Sequence, residues 1–199
     1  MVSAAEVIRH YPDDPEGIEW VTPQPRRPIT VAAHDPAWIG AFEELAARVR
    51  RALGDRVLAL EHVGSTSVLG LAAKPIIDLD LTVADSADED AYRAALEAEG
   101  FTLSLRERAW HEHRAFAHAE PRAHLHVWGP DCPEVVRHRL FRDWLREHPE
   151  DRAAYAAAKH AAVERLRAAG GGTGMDYNAL KEPVVHAILD RVFRAHGLL

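Results

Sequence analysis

Three features of the chain predict an α/β fold in which a small mixed sheet with flanking helices is followed by a C-terminal helical region. One is a set of short apolar or alternating runs between residues 56 and 128, led by Ile76-Ile-Asp-Leu-Asp-Leu-Thr-Val83 and bounded by Gly and Pro. Another is the helical spacing of apolar residues ahead of those runs, in Trp38, Phe42, Leu45, Val49 and Leu53. The last is the stretch beyond Pro130, where helical patterns fill residues 133–147, 150–168 and 176–196.

In chain order, residues 1–28 hold Tyr11-Pro-Asp-Asp-Pro-Glu-Gly17 and Thr22-Pro-Gln-Pro-Arg-Arg-Pro28. This density of proline predicts an N-terminal extension, extended or partly disordered, ahead of one domain over residues 29–199. A short strand is expected at Ile29-Thr-Val31. Asp35-Pro36 then opens a helix, with a capping side chain followed by a ring whose missing N–H costs nothing in the first turn. Glu43, Glu44, Arg48 and Arg50 fall on its outer face, and Gly54 stops it. Residues 56–62 alternate loosely as a strand that delivers the chain to Gly64. A short helix or turn follows through Leu71 and ends before Lys74-Pro75, because the residue ahead of a proline is pushed out of the helical region. The Asp-bearing strand comes next and is expected at the centre of the sheet. Asp85 to Glu99 reads as a helix with Tyr92 and Leu96 inward. Phe101-Thr-Leu-Ser-Leu105 alternates as a strand, and residues 114–118 and 124–128 form a hairpin around Glu120-Pro121. Pro149 and Gly170-Gly-Gly-Thr-Gly174 separate the three C-terminal helices, and Pro183 kinks or restarts the last.

With 199 residues, of which 47% are hydrophobic, the chain can bury one substantial core. A net charge of −7 and a pI near 6.0 argue against an extended nucleic-acid surface or binding to anionic membranes, while leaving room for a local basic pocket. The single cysteine, Cys132, excludes an internal disulfide and a cysteine-rich zinc site. Residues 1–30 contain no apolar leader core, and no apolar run is long enough to span a bilayer, so the expectation is a cytoplasmic protein. Arginine is the default base here. Only Lys74, Lys159 and Lys181 among the 24 basic residues are lysines, so a compact ammonium at these positions is a candidate partner for an anion.

The chemistry concentrates in His62-Val-Gly-Ser-Thr-Ser-Val-Leu-Gly-Leu-Ala-Ala-Lys-Pro-Ile-Ile-Asp-Leu-Asp-Leu-Thr-Val83. It joins a Gly/Ser/Thr loop, whose backbone N–H groups can take a phosphate, to a strand interrupted by Asp78 and Asp80. Alternation puts both carboxylates on one face, roughly 7 Å apart along the chain, a spacing that suits metal ions. Left bare, they would repel and desolvate each other, and one apparent carboxyl pKa would rise. His124, His126 and Trp128 likewise share a strand face. Most other histidines, His113 and His138 among them, are expected at the surface.

Together, these residues resemble the signature of the GrpB-like family, which is placed with the DNA polymerase β-like nucleotidyltransferases. His62, Gly64, Ser65, Thr66, Ser67, Val68, Gly70, Leu71, Ala73, Lys74, Pro75 and Asp78 match its pattern, with Leu69 in place of a usual Pro and Leu81 in place of a closing Val. His34-Asp-Pro-Ala-Trp38, His124-Leu-His126-Val, Phe141-Arg-Asp-Trp-Leu145, Tyr155-x-x-x-Lys159 and Tyr177-x-x-x-Lys181 follow in the family's order. The resemblance runs from about Ile29 to the C-terminus and implies a nucleotidyltransferase-like fold for residues 29–199.

What the resemblance implies for function is metal-dependent transfer of a nucleotidyl group from an NTP to a hydroxyl of a small molecule or protein. Asp78 and Asp80 would hold Mg²⁺ or Mn²⁺, since hard cations prefer oxygen. Gly64, Ser65, Thr66 and Ser67 would contact the phosphates, and Lys74, Lys159 and Lys181 would balance their charge. Active members of the superfamily carry a third carboxylate on a later strand, where this chain has His124 and His126. His126 is therefore the third candidate catalytic residue. Two alternatives stay open: a binding module on the same fold that keeps the nucleotide pocket without turnover, and a His-assisted, metal-dependent phosphoester hydrolase.

Overall fold

Side-chain alternation along one strand divides the molecule into an apolar and a polar half. The computed structural model describes residues 2–11, 14–22 and 27–199. In β3 (Ile77–Thr82), Ile77, Leu79 and Leu81 are buried on one face, and Asp78 and Asp80 occupy the other. β3 pairs antiparallel with β2 (Ala59–Val63) and parallel with β6 (Ala123–Trp128). Beyond β6 the sheet continues antiparallel through β5 (His113–His118), β4 (Phe101–Glu107) and the two-residue β1 (Glu19–Trp20), in the order β1-β4-β5-β6-β3-β2. This six-stranded mixed sheet with flanking helices is the expected α/β fold. β3 is an interior strand beside the edge, not the central one, because the local antiparallel hairpins of β4, β5 and β6 extend the sheet on one side only.

Two apolar clusters hold the layers. α2 (Ala37–Leu53) and α3 (Arg93–Ala98) cover the apolar face, packing Leu45, Val49, Leu53 and Leu96 against Leu79, Leu81, Phe116 and Leu125. Asp35 caps α2, its carboxylate accepting the Ala37 N–H at 2.9 Å. The second cluster unites α4 (Pro133–Glu147), α5 (Pro149–Ala168) and α6 (Gly174–Ala195) around Leu145, Tyr155, Ile188, Val192 and Phe193. Val68 and Leu71, from the loop between β2 and β3, are buried in this second cluster. The loop is thus anchored in one core while the strands on either side of it belong to the other.

Three local expectations are corrected. Among the described residues, Ile29-Thr-Val31 forms no strand, and the neighbouring Ala32 makes a single bridge to Ala73. The helix expected over Asp85 to Glu99 shrinks to α3 after a short 3-10 turn at Glu89–Ala91. The Asp85 carboxylate accepts the Ala87 N–H at 2.8 Å, a local bond that competes with helix formation, and Glu89 is drawn to Arg106 and Arg114. The N-terminal residues also carry regular structure. Ser3 and Glu6 form a reciprocal cap on α1 (Ala4–Val7), Val7 is buried in the second cluster, and Arg137 of α4 donates to the Val7 and Arg9 carbonyls. The irregular arm expected around Pro12 and over residues 23–26 falls outside the described residues. Among the described residues, no helix is long and apolar enough to cross a membrane.

Leu79 is fully buried within the apolar cluster, on the strand face opposite Asp78 and Asp80. Leu79→Ala should therefore cost about 2–5 kcal/mol in urea denaturation, the usual range for emptying a sealed site. A loss well below that range would mean the cluster does not close over β3.

Candidate functional site

The loop after β2 opens at Gly64, whose φ of 67° is one that L side chains avoid. A Cβ there would sit 2.3 Å from the Asp78 Oδ2. Glycine therefore makes room for the neighbouring carboxylate, since β2 and β3 pair Val63 with Asp78. Thr66 and Ser67 are turned inward. The Thr66 hydroxyl donates to the Ile76 carbonyl and meets His62 Nε2 at 3.1 Å, and the Ser67 hydroxyl donates to the Gly64 carbonyl at 2.6 Å. Arg146 of α4 donates to the Ser67 carbonyl. These two hydroxyls brace the loop.

Ser65 leads to the lysines. Lys159, buried on α5, donates to the Ser65 hydroxyl at 2.8 Å and the Ala72 carbonyl at 2.6 Å. Its ammonium lies 4.3 Å from the Tyr155 ring centre, and that of Lys181 lies 5.8 Å from Tyr155 and 5.7 Å from Tyr177. Lys74 completes the group, 4.8 Å from the Tyr177 ring centre. The three lysines of the chain thus converge from a loop and two helices on a pair of tyrosines. Burial and the charge of Lys181 pull the Lys159 ammonium down to about 7. Burial lowers Lys74 as well, with Asp78 opposing the shift.

Asp78 and Asp80 share one sheet face, as alternation requires, and both carboxyls lie below their ordinary range. Burial pushes the Asp78 carboxyl up, but the hydrogen bond and charge of His124, 3.5 Å away, outweigh it. Burial likewise opposes Asp80, whose partner is the His138 imidazole at 2.8 Å, with Trp128 Nε1–H donating at 3.0 Å. His138 in turn rises to about 9, because the charge and hydrogen bond of Asp80 exceed the effect of its own burial. The expectation that repulsion raises one carboxyl is overturned, since imidazoles supply the compensating charge. His138 and His113, expected at the surface, belong to this face. His113 is only 3% exposed and stands between the Glu107 carboxylate at 2.7 Å and His126 Nδ1 at 3.0 Å.

The residues as arranged do not fit a two-ion centre. Both Asp80 oxygens already accept hydrogen bonds, and Asp78 faces His124, where paired ions need open carboxylate oxygens. Among the described residues, no three His, Cys, Asp or Glu side chains gather in a way that would hold a metal ion.

Residues 28–191 match the family model described as GrpB protein. The chain belongs to the GrpB family. A UPF0157 protein of Halalkalibacterium halodurans is 49% identical over 131 residues, covering 66% of this chain and 67% of that one. The crystal structure of the conserved protein GrpB from Enterococcus faecalis aligns with a TM-score of 0.70 at 28% identity, covering 82% of this chain and 99% of that one. A longer relative, named dephospho-CoA kinase in Mycolicibacterium paratuberculosis, is 31% identical over 79% of this chain, and the matched stretch makes up 44% of that protein.

Two outcomes follow for this GrpB-family chain. Gly64→Ala combines a forbidden backbone angle with a clash against Asp78, and should cost about 1–3 kcal/mol in denaturant unfolding. An unaffected midpoint would place the Asp78 carboxylate elsewhere. Lys159 has its own pH signature. Unfolded lysine titrates near about 10.4, so between that value and the folded value of about 7 the unfolded chain binds more protons and stability rises with pH. Lys159→Met should remove that rise, seen as a stability difference between the two proteins that shifts toward wild type from pH 7 to pH 10. The opposite trend from His138 is common to both and cancels. A difference independent of pH would mean that Lys159 is not desolvated.

Proposed function

We propose that this chain binds a nucleoside triphosphate through its polyphosphate and transfers the nucleotidyl group to a hydroxyl acceptor. The observation that supports it most is the lysine cluster. Three ammonium groups gathered in a partly buried space repel one another and lose hydration, an arrangement that an anion of several charges relieves. Lys74, Lys159, Lys181 and the Gly64-Ser65 backbone would hold that anion. Asp78 stands between the lysines and the histidine face, within the electrostatic reach of Lys74 on one side and His124 on the other. In this reading no step passes through a metal ion, and Asp80 acts as the anchor for His138 and Trp128.

One observation favours a second reading, a ligand-binding module without turnover. A stretch similar to this chain forms part of mycobacterial proteins named dephospho-CoA kinase, where it would accompany an activity on a nucleotide-type substrate. Pyrophosphate release separates the two readings.

Titration calorimetry with nonhydrolysable NTP analogues, in EDTA and again with Mg²⁺, tests the common core. Binding is expected in both buffers, with proton uptake near pH 7 as Lys159 regains its charge. Lys181→Met should weaken it by about 10-fold or more, the usual loss for a charged hydrogen bond. Absence of binding by every NTP tested, with or without Mg²⁺, would overturn both readings.

A further inference from the structure

A second polar row on the same sheet face lies outside the lysine cluster. Glu107 on β4, His113 on β5 and His126 on β6 form a continuous hydrogen-bonded line, with Glu107 Oε2 to His113 Nδ1 at 2.7 Å and His113 Nε2 to His126 Nδ1 at 3.0 Å. Strand register builds it, because Glu107 pairs with His113 and Ala115 with His126. Rings lock it in place. His113 is stacked on Trp128 at 4.2 Å and on His126 at 5.2 Å, and Trp110 meets both His113 and Trp128 edge to face at 5.3 Å.

Burial draws the Glu107 carboxyl upward from its ordinary range, and in its ionised form it only accepts, so His113 places its proton on Nδ1. His113 is sealed from water beside the Arg114 guanidinium, and burial drives its imidazole toward the neutral form, which leaves Nε2 as a bare acceptor. His126 Nδ1 must then be the donor. For a neutral His126 the remaining lone pair lies on Nε2. That nitrogen bonds to no described residue and is not among the polar atoms closed off from solvent. It shares its face with the residue paired to it across the parallel register, Asp80, and with Asp78, one alternation along β3.

We propose that Glu107 and His113 are positioning residues that fix His126 as the Nδ1–H tautomer and present its Nε2 lone pair to the site, where it takes the proton of the acceptor hydroxyl. The inference rests on the nucleotidyl-transfer reading above and supplies the base that reading lacks. In the step it serves, a lone pair of the acceptor oxygen forms a bond to the α-phosphorus of the bound NTP. The bond from that phosphorus to the bridging oxygen breaks, with its electrons leaving on pyrophosphate, and the hydroxyl proton moves to His126 Nε2. The groups facing His126 are His124 on its own strand, Asp78 and Asp80 on β3, His113 on β5 and His138 on α4. Burial first, then the charge of His113, draw its imidazole down to about 3 against the opposing pull of Asp80 and Asp78, which leaves Nε2 unprotonated at neutral pH and makes it a weak base.

The test begins with long-range ¹H–¹⁵N correlation spectra of the full chain labelled at histidine. His113 and His126 are expected as Nδ1–H tautomers, with His126 Nε2 unprotonated. Glu107→Met, which removes the acceptor, should mix the tautomers at both rings, whereas Glu107→Gln, whose amide carbonyl still accepts, should keep them. An Nε2–H tautomer at His126 in the wild type, or a pattern unmoved in Glu107→Met, overturns the relay. Pyrophosphate release from the four NTPs with glycerol as acceptor, in EDTA, then tests the base. Release should fall by about 10-fold or more in Glu107→Met and recover in Glu107→Gln, a share of the 10²–10⁴-fold that a positioned base contributes. No release by a wild type that binds NTP and shows the expected tautomers refutes the role given to His126. Failure to bind any NTP instead overturns the reading beneath it.

Discussion

A carboxylate enclosed in the protein at Asp80 has to be met by donors, and the polar half of this fold is arranged around that requirement. Leaving one ionised oxygen unmatched in such a place costs several kcal/mol. Trp128 answers from the neighbouring strand and His138 from the helix above, so the demand of one side chain ties β3, β6 and α4 together. Arg142 extends the same connection, reaching from α4 to Glu61 and to the His62 carbonyl on the edge strand β2. α4 is therefore seated on the sheet by charge and hydrogen bonds at one side and by apolar contacts at the other, where Leu145 enters the helical cluster.

The site exists because two cores meet along it. On one side, the apolar face of the sheet fixes where Asp78 emerges; on the other, the helical cluster fixes where the lysines stand. The loop from Gly64 to Leu71 crosses between them. Its inward hydroxyls use Thr66 and Ser67 as internal braces, and Lys159 closes the bridge by bonding both ends of the stretch, at Ser65 and at Ala72. A buried lysine in this position costs more than an apolar residue would.

Much of this was legible in the linear chain, and the losses have identifiable causes. The alternation of Ile77 to Thr82 located the two carboxylates on one face because the period of a strand does not depend on tertiary context. The three lysines stand out twice, against a background of arginine and inside the motifs that carry the family resemblance, Lys74 in the loop run and Lys159 and Lys181 each four residues after a tyrosine. His113 and His138 were not legible. His113-Arg-Ala-Phe-Ala-His118 mixes polar and apolar residues on both faces, and its partner Glu107 lies across a bulge between Leu103 and Leu105 that shifts the register of β4. His138 sits on the polar flank of an amphipathic helix and looks solvated until α4 docks over Asp80. The inward turn of the Thr66 and Ser67 hydroxyls has no signal in the sequence, because a hydroxyl in a glycine-containing loop carries no mark of which way it points.

The N-terminal segment is held in a way that bears on how its sequence can change over time. Arg137 grips it by backbone carbonyls, at Val7 and Arg9, which any residue presents alike. Val7 is buried in the apolar cluster, and Val2 and Ile8 pack against it. Selection on this attachment therefore falls on the arginine in the helix and on the apolar positions of the segment, while the two gripped carbonyls by themselves ask for no particular side chain.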